Sequence, residues 1–245
     1  EGSRPSGVQT RYGLQVAEDE LRERTMVLLP EAARAEFAKV LDDYARLDHP
    51  GVQAPERVTI TPSGVDVVRK ALRGTTLMSR LANARLDDAE VTAVMRQVAE
   101  ALKAAHAAGL AHGALDPQRI WLREEGAVIE DFGLVAAFSR ALPGRVNPAL
   151  GTYLAPGSKT SDSAGPQPAD DIYGLGAVAF QALAGVHPQA ALARGESLEA
   201  MLAHVAPATA ALVLAMVGPA DARPSAAAVT ERLRALPQRA DEVAS

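Results

Sequence analysis

Residues 110–120 read Leu-Ala-His-Gly-Ala-Leu-Asp-Pro-Gln-Arg-Ile, and this stretch, with the Asp-Phe-Gly that follows at 131–133, decides how the rest of the chain is interpreted. It comes directly after Gly109, which ends an amphipathic segment at residues 87–108 with apolar side chains on one stripe. That segment predicts a long helix closed by a glycine C-cap. The stretch itself predicts a short irregular loop between this helix and a strand at 120–122.

The chain before this helix is rich in strand patterns. Residues 12–30 predict short strands that end in the apolar run at 26–29. Residues 31–47 carry apolar side chains at steps of three and four, which predicts an amphipathic helix. Residues 58–60 and 65–68 flank a Pro-Ser-Gly turn and predict a hairpin.

The chain after residue 120 is predominantly helical. Residues 127–130 predict a strand that pairs with 120–122. Residues 131–170 contain much Pro, Gly and Ser and predict about forty residues that are mostly loop. Residues 171–183 are apolar nearly all round and predict a buried central helix, with further helices to residue 236. A small β-rich unit followed by a larger helical unit is therefore expected.

Composition excludes several classes of function. The 245 residues carry a formal net charge of −5 with scattered basic residues, which gives no footprint for nucleic acid or an anionic membrane. The absence of cysteine excludes disulfides and thiolate sites and fits a cytoplasmic location, and the five scattered histidines predict no metal site. Residues 1–11 are interpreted as a polar lead-in and residues 237–245 as a polar tail or linker.

The order of these landmarks resembles a protein kinase domain of the bacterial Ser/Thr type over residues 12–236. Residues 110–120 stand where that family has H-R-D-L-K-P-x-N-I, and 131–133 match its Asp-Phe-Gly. The other matches, in chain order, are Gly-Thr-Tyr-Leu-Ala-Pro at 151–156, Asp-Ile-Tyr-Gly-Leu-Gly at 171–176 and Arg-Pro-Ser at 223–225. The resemblance implies an α+β, two-lobed protein kinase-like fold, with a small β-rich N-lobe at 12–72 and a larger helical C-lobe at 73–236.

At the family's chemical positions this sequence departs from the pattern. Only Gly7 and Gly13 fall where the glycine-rich loop is expected. The resemblance places Val27 at the lysine, Val40 at its partner glutamate, Ala114 at the base aspartate, Asp116 at a lysine and Arg119 at the metal-binding asparagine, with Asp131 retained. Phosphoryl transfer depends on positioned charges. This pattern therefore predicts a degenerate domain, a pseudokinase that is not an enzyme and holds no cofactor and no metal.

The retained Asp131 has two interpretations: a lone Mg²⁺ ligand, or a carboxylate neutralised by Arg119 or by backbone amides. The second predicts Arg119 within salt-bridge reach of Asp131. The resemblance also implies that Tyr44, His112 and Phe132 stack into a spine between the lobes, anchored on Asp171. Alignment through Gly74 and Leu77 further places Arg69 at the gatekeeper and Lys70 at the start of the hinge.

Two functions follow from these expectations. The first is a regulatory or scaffolding protein-interaction module in bacterial signalling, without direct membrane insertion in this fragment, whose protein partner is a signalling kinase or a phosphothreonine-binding domain. Exposed hydroxyls at Thr152, Thr160 and Ser139 are candidate phosphosites, with ordinary loop hydroxyls as the alternative. The second is a nucleotide-binding sensor or atypical phosphotransferase built around Asp131, Asp116 and Glu130.

Overall fold

The computed structural model describes residues 8–11, 14–18, 22–83, 86–145, 153–158 and 165–236. Its larger sheet is antiparallel, with the strand order β1-β2-β3-β5-β4. The strands are β1 (Val8–Arg11), β2 (Leu14–Glu18), β3 (Arg22–Leu28), β4 (Pro55–Ile60) and β5 (Gly64–Lys70). The helix α1 (Glu31–Tyr44) connects β3 to β4 and packs against β4 and β5.

The larger, helical part contains a second, three-stranded sheet in the order β6-β7-β8, formed by β6 (Thr75–Thr76), β7 (Ile120–Arg123) and β8 (Gly126–Ile129). Its helices are α2 (Leu77–Asn83), α3 (Asp88–Ala107), α4 (Leu134–Ala141), α5 (Pro168–Ala184), α6 (Pro188–Ala193), α7 (Leu198–Met201), α8 (Pro207–Val217) and α9 (Ala226–Ala235).

Local sequence explains why the two longest helices begin and end where they do. The Asp87 side chain accepts from the backbone N–H of Glu90, whose side chain accepts from the Asp87 N–H, so a capping box begins α3. Pro168 opens α5, and Gly185 ends it in the left-handed conformation. Residues 171–180 of α5 are all buried, so this helix lies at the centre of the main core, as its uniformly apolar sequence predicted.

The predicted two-lobed α+β architecture is confirmed, with a small β-rich N-lobe and a larger helical C-lobe. The proposed boundaries at residues 12, 72 and 236 stay predictions. The expectation of a loop through most of 131–170 is wrong at 134–141, because α4 forms there. Its apolar residues Leu134, Val135 and Phe138 recur at short helical spacing, and burial against α1 stabilises a segment too short to be helical alone. Within the described ranges, no helix is both long and apolar enough to cross a membrane.

Candidate functional site

The loop between α3 and β7 is held by a buried carboxylate at the start of α5. The backbone N–H groups of His112 and Gly113 donate to the two oxygens of Asp171, at 2.8 and 2.6 Å. Asp171 has an exposed fraction of 0%, so these bonds and one from His106 supply the partners that a buried charge requires. The loop is therefore fixed to the centre of the helical lobe.

His106 is a residue of this site that the sequence interpretation missed. Its Nε2 lies 2.9 Å from Asp171 Oδ2, and its side chain is largely buried. The sequence analysis treated it as one of several scattered histidines, because it shows no metal-ligand spacing. Its place in the last turn of α3, six residues before His112, was the available signal.

Tyr44, His112 and Phe132 lie together between the lobes. The Phe132 ring is 5.0 Å from the His112 ring and 6.4 Å from the Tyr44 ring, between ring centroids. The Tyr44 hydroxyl donates to the Ala111 carbonyl at 2.7 Å, and burial raises the pKa of Tyr44. The structure thus brings together the three residues of the expected spine. That they link the two lobes functionally stays a prediction.

The His112 ring is neutral and its tautomer follows from its contacts. Its Nδ1 accepts from the Ala114 N–H at 3.2 Å, so the proton sits on Nε2, which donates to the Glu130 carbonyl at 2.9 Å. Burial lowers the pKa of His112, and the Arg119 charge lowers it further, against the opposing effect of Asp171. The ring is therefore a structural link between the loop and residue 130.

Arg119 is the centre of a buried ion cluster. Its exposed fraction is 1%, its Nη1 donates to the Ala114 carbonyl at 2.9 Å, and it forms an ion pair with Asp116. Its Nε lies 3.8 Å from Asp131 Oδ2, inside the reach that the sequence predicted for this pair. The guanidinium thus joins the 110–120 loop to the Asp-Phe-Gly segment.

Asp131 is the least satisfied member of this cluster. It is 8% exposed, its Oδ2 has no hydrogen-bond partner among the described residues, and its φ of +64° lies in the left-handed region. The Arg119 cation, whose Nε lies 3.8 Å from Oδ2, is its ionic neighbour in the cluster. Asp116, by contrast, also accepts from the N–H groups of Gln118 and Arg119 at 2.8 and 3.1 Å.

The positions that bind Mg²⁺ in the resembling family do not fit the ion in this arrangement. Mg²⁺ requires near-octahedral oxygen ligands at about 2.0 to 2.1 Å, and a guanidinium between Asp116 and Asp131 places a fixed positive charge there instead. Over the described ranges, no group of three or more His, Asp or Glu side chains could hold a metal ion.

Helix α4 fills the space between α1, the N-lobe sheet and the 110–120 loop. Residues 134–139 are all buried, and the Phe138 ring meets the Phe37 ring edge-on at 5.0 Å. Val27 of β3 and Ala114 of the loop belong to the same hydrophobic cluster as α4, and Val40 packs against it. Residues that the resemblance places at the family's lysine, glutamate and base therefore contribute apolar surface here.

A glycine at position 113 is needed by this packing. Gly113 has a φ of +83°, and a Cβ there would lie 2.4 Å from Pro166 Cβ and 3.0 Å from Val135 Cγ1. A side chain, including the arginine that the family carries at this place, would collide with residues on both sides. The tight approach of the loop to α4 therefore depends on the absence of a side chain.

The structure describes only one of the three candidate phosphosites, Ser139. Ser139 was expected to be exposed, and this is wrong: it is 1% exposed because it lies on the buried part of α4. Thr152 and Thr160 lie outside the described residues, as do Gly7 and Gly13 of the expected glycine-rich loop.

Glu130 lies beside the ion cluster at 1% exposure, and its Oε2 accepts from Trp121 Nε1 at 3.0 Å.

Comparison with known proteins identifies relatives. The family model for the protein kinase domain matches residues 20–229. Serine/threonine-protein kinase PkaB of Streptomyces coelicolor is 33% identical over 154 residues, which are 58% of this chain and 36% of the relative. Serine/threonine-protein kinase PknA of Mycobacterium tuberculosis is 32% identical over 153 residues, 59% of this chain and 35% of the relative. The matched region spans about a third of these relatives.

Solved structures show the same fold. The kinase domain of Mycobacterium tuberculosis PknI aligns with a TM-score of 0.69 and 20% identity, covering 94% of this chain and 92% of that one. Rad53 in complex with AMP-PNP aligns with a TM-score of 0.70 and 17% identity, covering 89% of this chain and 60% of that one.

These matches overturn one expectation. The prediction that the chain is not an enzyme is contradicted, because the family model is that of the protein kinase domain and the relatives are named as Ser/Thr protein kinases. The physical weakness of that prediction is that it compared single positions, whereas phosphoryl transfer depends on the placement of charge by the whole site. The assignment of Val27, Val40, Ala114, Asp116 and Arg119 as degenerate positions stays a prediction.

Proposed function

The chain belongs to the protein kinase domain family, and we propose that it acts there as a regulatory or scaffolding protein-interaction module in bacterial signalling. The observation that carries the proposal is the packing of α4 into the space between the lobes. Each fully buried apolar side chain of the size of Leu134 or Phe138 contributes roughly 1.5 to 3 kcal/mol. The α1–α4 pair is therefore held rigidly.

A rigid α1–α4 pair gives α1 a fixed outer surface that a partner can bind. This surface, which we call the α1 outer face, exposes Glu31, Asp42 and Asp43 beside the cations Lys39 and Arg46, so it carries a small excess of negative charge. Arg46 lies 3.5 Å from Asp43 in an exposed ion pair. Surface charge of one sign steers a partner of the opposite sign and fixes its orientation. We propose a signalling Ser/Thr kinase with a basic contact surface as the partner.

A binding titration tests this proposal. The purified chain is titrated against the catalytic domain of a bacterial Ser/Thr kinase, and the expected result is saturable binding that weakens about tenfold or more when Asp42 and Asp43 are both changed to Lys. The matched control is Glu199→Lys, an exposed charge reversal on α7, which should bind as the unaltered chain does. Equal loss with both variants, or no saturable binding at all, would refute the α1 outer face.

A phosphothreonine-binding domain is the second partner class of this proposal, with Thr152 and Thr160 as the sites it would bind. Treatment with an active kinase and Mg-ATP should create binding to a forkhead-associated domain that Thr152→Ala or Thr160→Ala removes. Binding that persists in the double variant would exclude both residues. We propose a cytoplasmic location for this module, because a chain without cysteine fits a reducing compartment.

A second candidate function, a nucleotide sensor or atypical phosphotransferase, is favoured by the state of Asp131. Its Oδ2 is buried and has no hydrogen-bond partner among the described residues, which is unusual for a carboxylate with only a structural role. Arg119 would have to leave its present position before a divalent cation could approach. Radiolabel transfer from ATP that is lost in Asp131→Asn and retained in Asp66→Asn would support this function, and transfer that is equal in the two variants would exclude it.

A further inference from the structure

An open cavity lies in the helical lobe where three helices pack together. It has a volume of about 540 Å³ and is formed by the last turns of α3 and the first turns of α5 and α9. Most of its lining is apolar and consists of four alanines, two prolines and Ile172. Cavities of roughly 300 to 1,000 Å³ with a mostly apolar lining are typical sites for small molecules. The cavity therefore fits a small molecule with an apolar body.

The charged part of the lining is basic. It is formed by Lys103, His106 and Arg223, and none of the described residues that line the cavity is acidic. The two acids that pair with these groups lie outside the lining: Asp171 accepts from His106, and Glu100 lies 3.5 Å from the Lys103 ammonium. A cleft lined by charge of one sign concentrates ligands of the opposite sign. The lining therefore favours an anion.

Arg223 lines the cavity in a fixed orientation. Its Nε donates to the Gly218 carbonyl at 2.9 Å and its Nη1 to the Ala169 carbonyl at 3.1 Å, and the guanidinium lies over the Tyr173 ring at 5.0 Å from the centroid. These two bonds leave three of the five N–H donors of a guanidinium. Within the described ranges, Arg223 forms no ion pair with a carboxylate. The guanidinium is thus oriented before a ligand binds, with donors left for a carboxylate.

A neighbouring acid, Asp170, does not take these donors. Burial lowers the pKa of Arg223, and the charges of Asp170 and Tyr173 act in the opposite direction. Asp170 lies outside the lining, and its Oδ2 accepts from the backbone N–H of Gln167 in the cap of α5, at 3.3 Å. A partly desolvated guanidinium forms stronger charge-assisted hydrogen bonds than a fully hydrated one, because the local dielectric constant is lower.

We propose that this cavity binds a small carboxylic acid with an apolar body. The two carboxylate oxygens match the planar fork of Arg223, Lys103 is the second cation, and the apolar body lies on the alanine and proline lining. A dianion such as phosphate fits less well, because most of the lining offers no hydrogen bond in exchange for its water. The cavity is separate from the α1 outer face and from Asp131, so its test does not depend on the proposed function.

A titration of the whole chain with naphthoate at neutral pH, followed by saturation-transfer NMR, tests the site. Naphthoate carries a carboxylate on an aromatic body, naphthalenemethanol has the same body without the charge, and acetate has the charge without the body. We expect saturable binding of naphthoate. The other two probes should bind about tenfold more weakly or less, because each lacks either the charge-assisted hydrogen bonds or the apolar contact.

Two variants show whether naphthoate binds in this cavity. Ala227→Phe fills the cavity from the exposed first turn of α9, and Arg223→Met removes the oriented guanidinium. Each should weaken naphthoate binding about tenfold or more. The matched controls are Ala235→Phe and Arg232→Met, which are exposed on the same helix and lie outside the lining. Both controls should bind naphthoate as the unaltered chain does.

The test stays decisive if Arg223→Met does not fold after losing its two carbonyl bonds. Lys103→Met then removes the second cation from a side chain that is 42% exposed, and it should weaken naphthoate binding about twofold to fivefold. Absent saturable binding, equal binding of naphthalenemethanol, or undiminished binding by Ala227→Phe or by a folded Arg223→Met would overturn the proposal.

Discussion

Replacing Arg119 by methionine removes the cation of the buried cluster while keeping a side chain of similar length. The guanidinium now pairs with Asp116, lies 3.8 Å from Asp131 and donates to the Ala114 carbonyl. Two carboxylates, each less than 10% exposed, would lose this cation at once. The substitution therefore leaves buried negative charge without compensation, which is the costly way to break an ion pair.

The expected decrease in the free energy of unfolding of Arg119→Met is the balance of two opposing contributions. Breaking a buried pair by removing one partner costs about 3 to 5 kcal/mol, and the orphaned carbonyl of Ala114 adds about 1 to 3 kcal/mol. Burial of the apolar methionine, and relief from desolvating the guanidinium, offset part of this. We expect a net decrease of about 3 kcal/mol in the free energy of unfolding, which is the lower end of the range of about 3 to 5 kcal/mol for breaking a buried pair.

Urea unfolding at neutral pH measures this difference. The single tryptophan, Trp121, donates to the carboxylate of Glu130 next to the cluster, so its fluorescence reports on the site itself. Arg57→Met, an exposed arginine, is the control and should change the free energy by less than about 0.5 kcal/mol. A double-mutant cycle with Asp131→Asn should give a coupling above about 0.5 kcal/mol. Equal effects of the two arginine variants, together with zero coupling, would refute the role of Arg119 as internal counter-ion.

Three further predictions concern the surroundings of the cluster. Phe138→Ala should lower the free energy of unfolding by about 3 to 5 kcal/mol, because its ring is buried against Phe37. Leu192 is 57% exposed, so Leu192→Ala should change the free energy little. Equal decreases in urea unfolding would argue against the packing of α4 on α1. Gly113→Ala should lower the free energy of unfolding by roughly 1 to 3 kcal/mol more than Gly109→Ala. Both glycines have a positive φ, but only at position 113 would a Cβ collide with a neighbour. Equal decreases would exclude the collision with Pro166. Because burial lowers the pKa of His112 in the folded chain, the unfolded chain is protonated at this residue at a higher pH than the folded chain is. The free energy of unfolding should therefore fall as the pH drops below about 6.5, by at most about 1.4 kcal/mol per pH unit. His112→Asn should reduce that slope, leaving the part that comes from His187, whose pKa burial lowers as well. His204→Gln should leave the slope as it is, and an unchanged slope in His112→Asn would show that other groups cause it.

The sequence predicted the fold because its landmarks depend on backbone geometry. The capped helix α3, the loop at 110–120 and the apolar helix α5 are local patterns whose order along the chain is characteristic. The spine was expected to be anchored on Asp171, whose two oxygens accept from the backbone N–H groups of residues 112 and 113. Such contacts follow from position in a known architecture and need no knowledge of side-chain packing.

Other features depend on tertiary packing and could not be predicted in this way. Helix α4 has only eight residues, fewer than an isolated helix needs, so its formation is decided by the apolar surfaces of α1 and the sheet. The burial of Ser139 follows from that docking. The complete burial of Arg69 contradicts the usual exposure of arginine, and no pattern in β5 distinguishes it from the exposed Arg24 on β3.

Hydrogen exchange in α4 tests the central claim that this helix closes the space between the lobes and fixes the α1 outer face. The amides of Ala137 and Leu142 donate to the carbonyls of Gly133 and Phe138. We predict that the amides of residues 137–141 exchange as slowly as those in the middle of α3, through global unfolding, and that Phe138→Ala makes them faster by a factor of ten or more while α3 stays protected. Exchange of residues 137–141 at the rate of an exposed loop in the unaltered chain would contradict the claim.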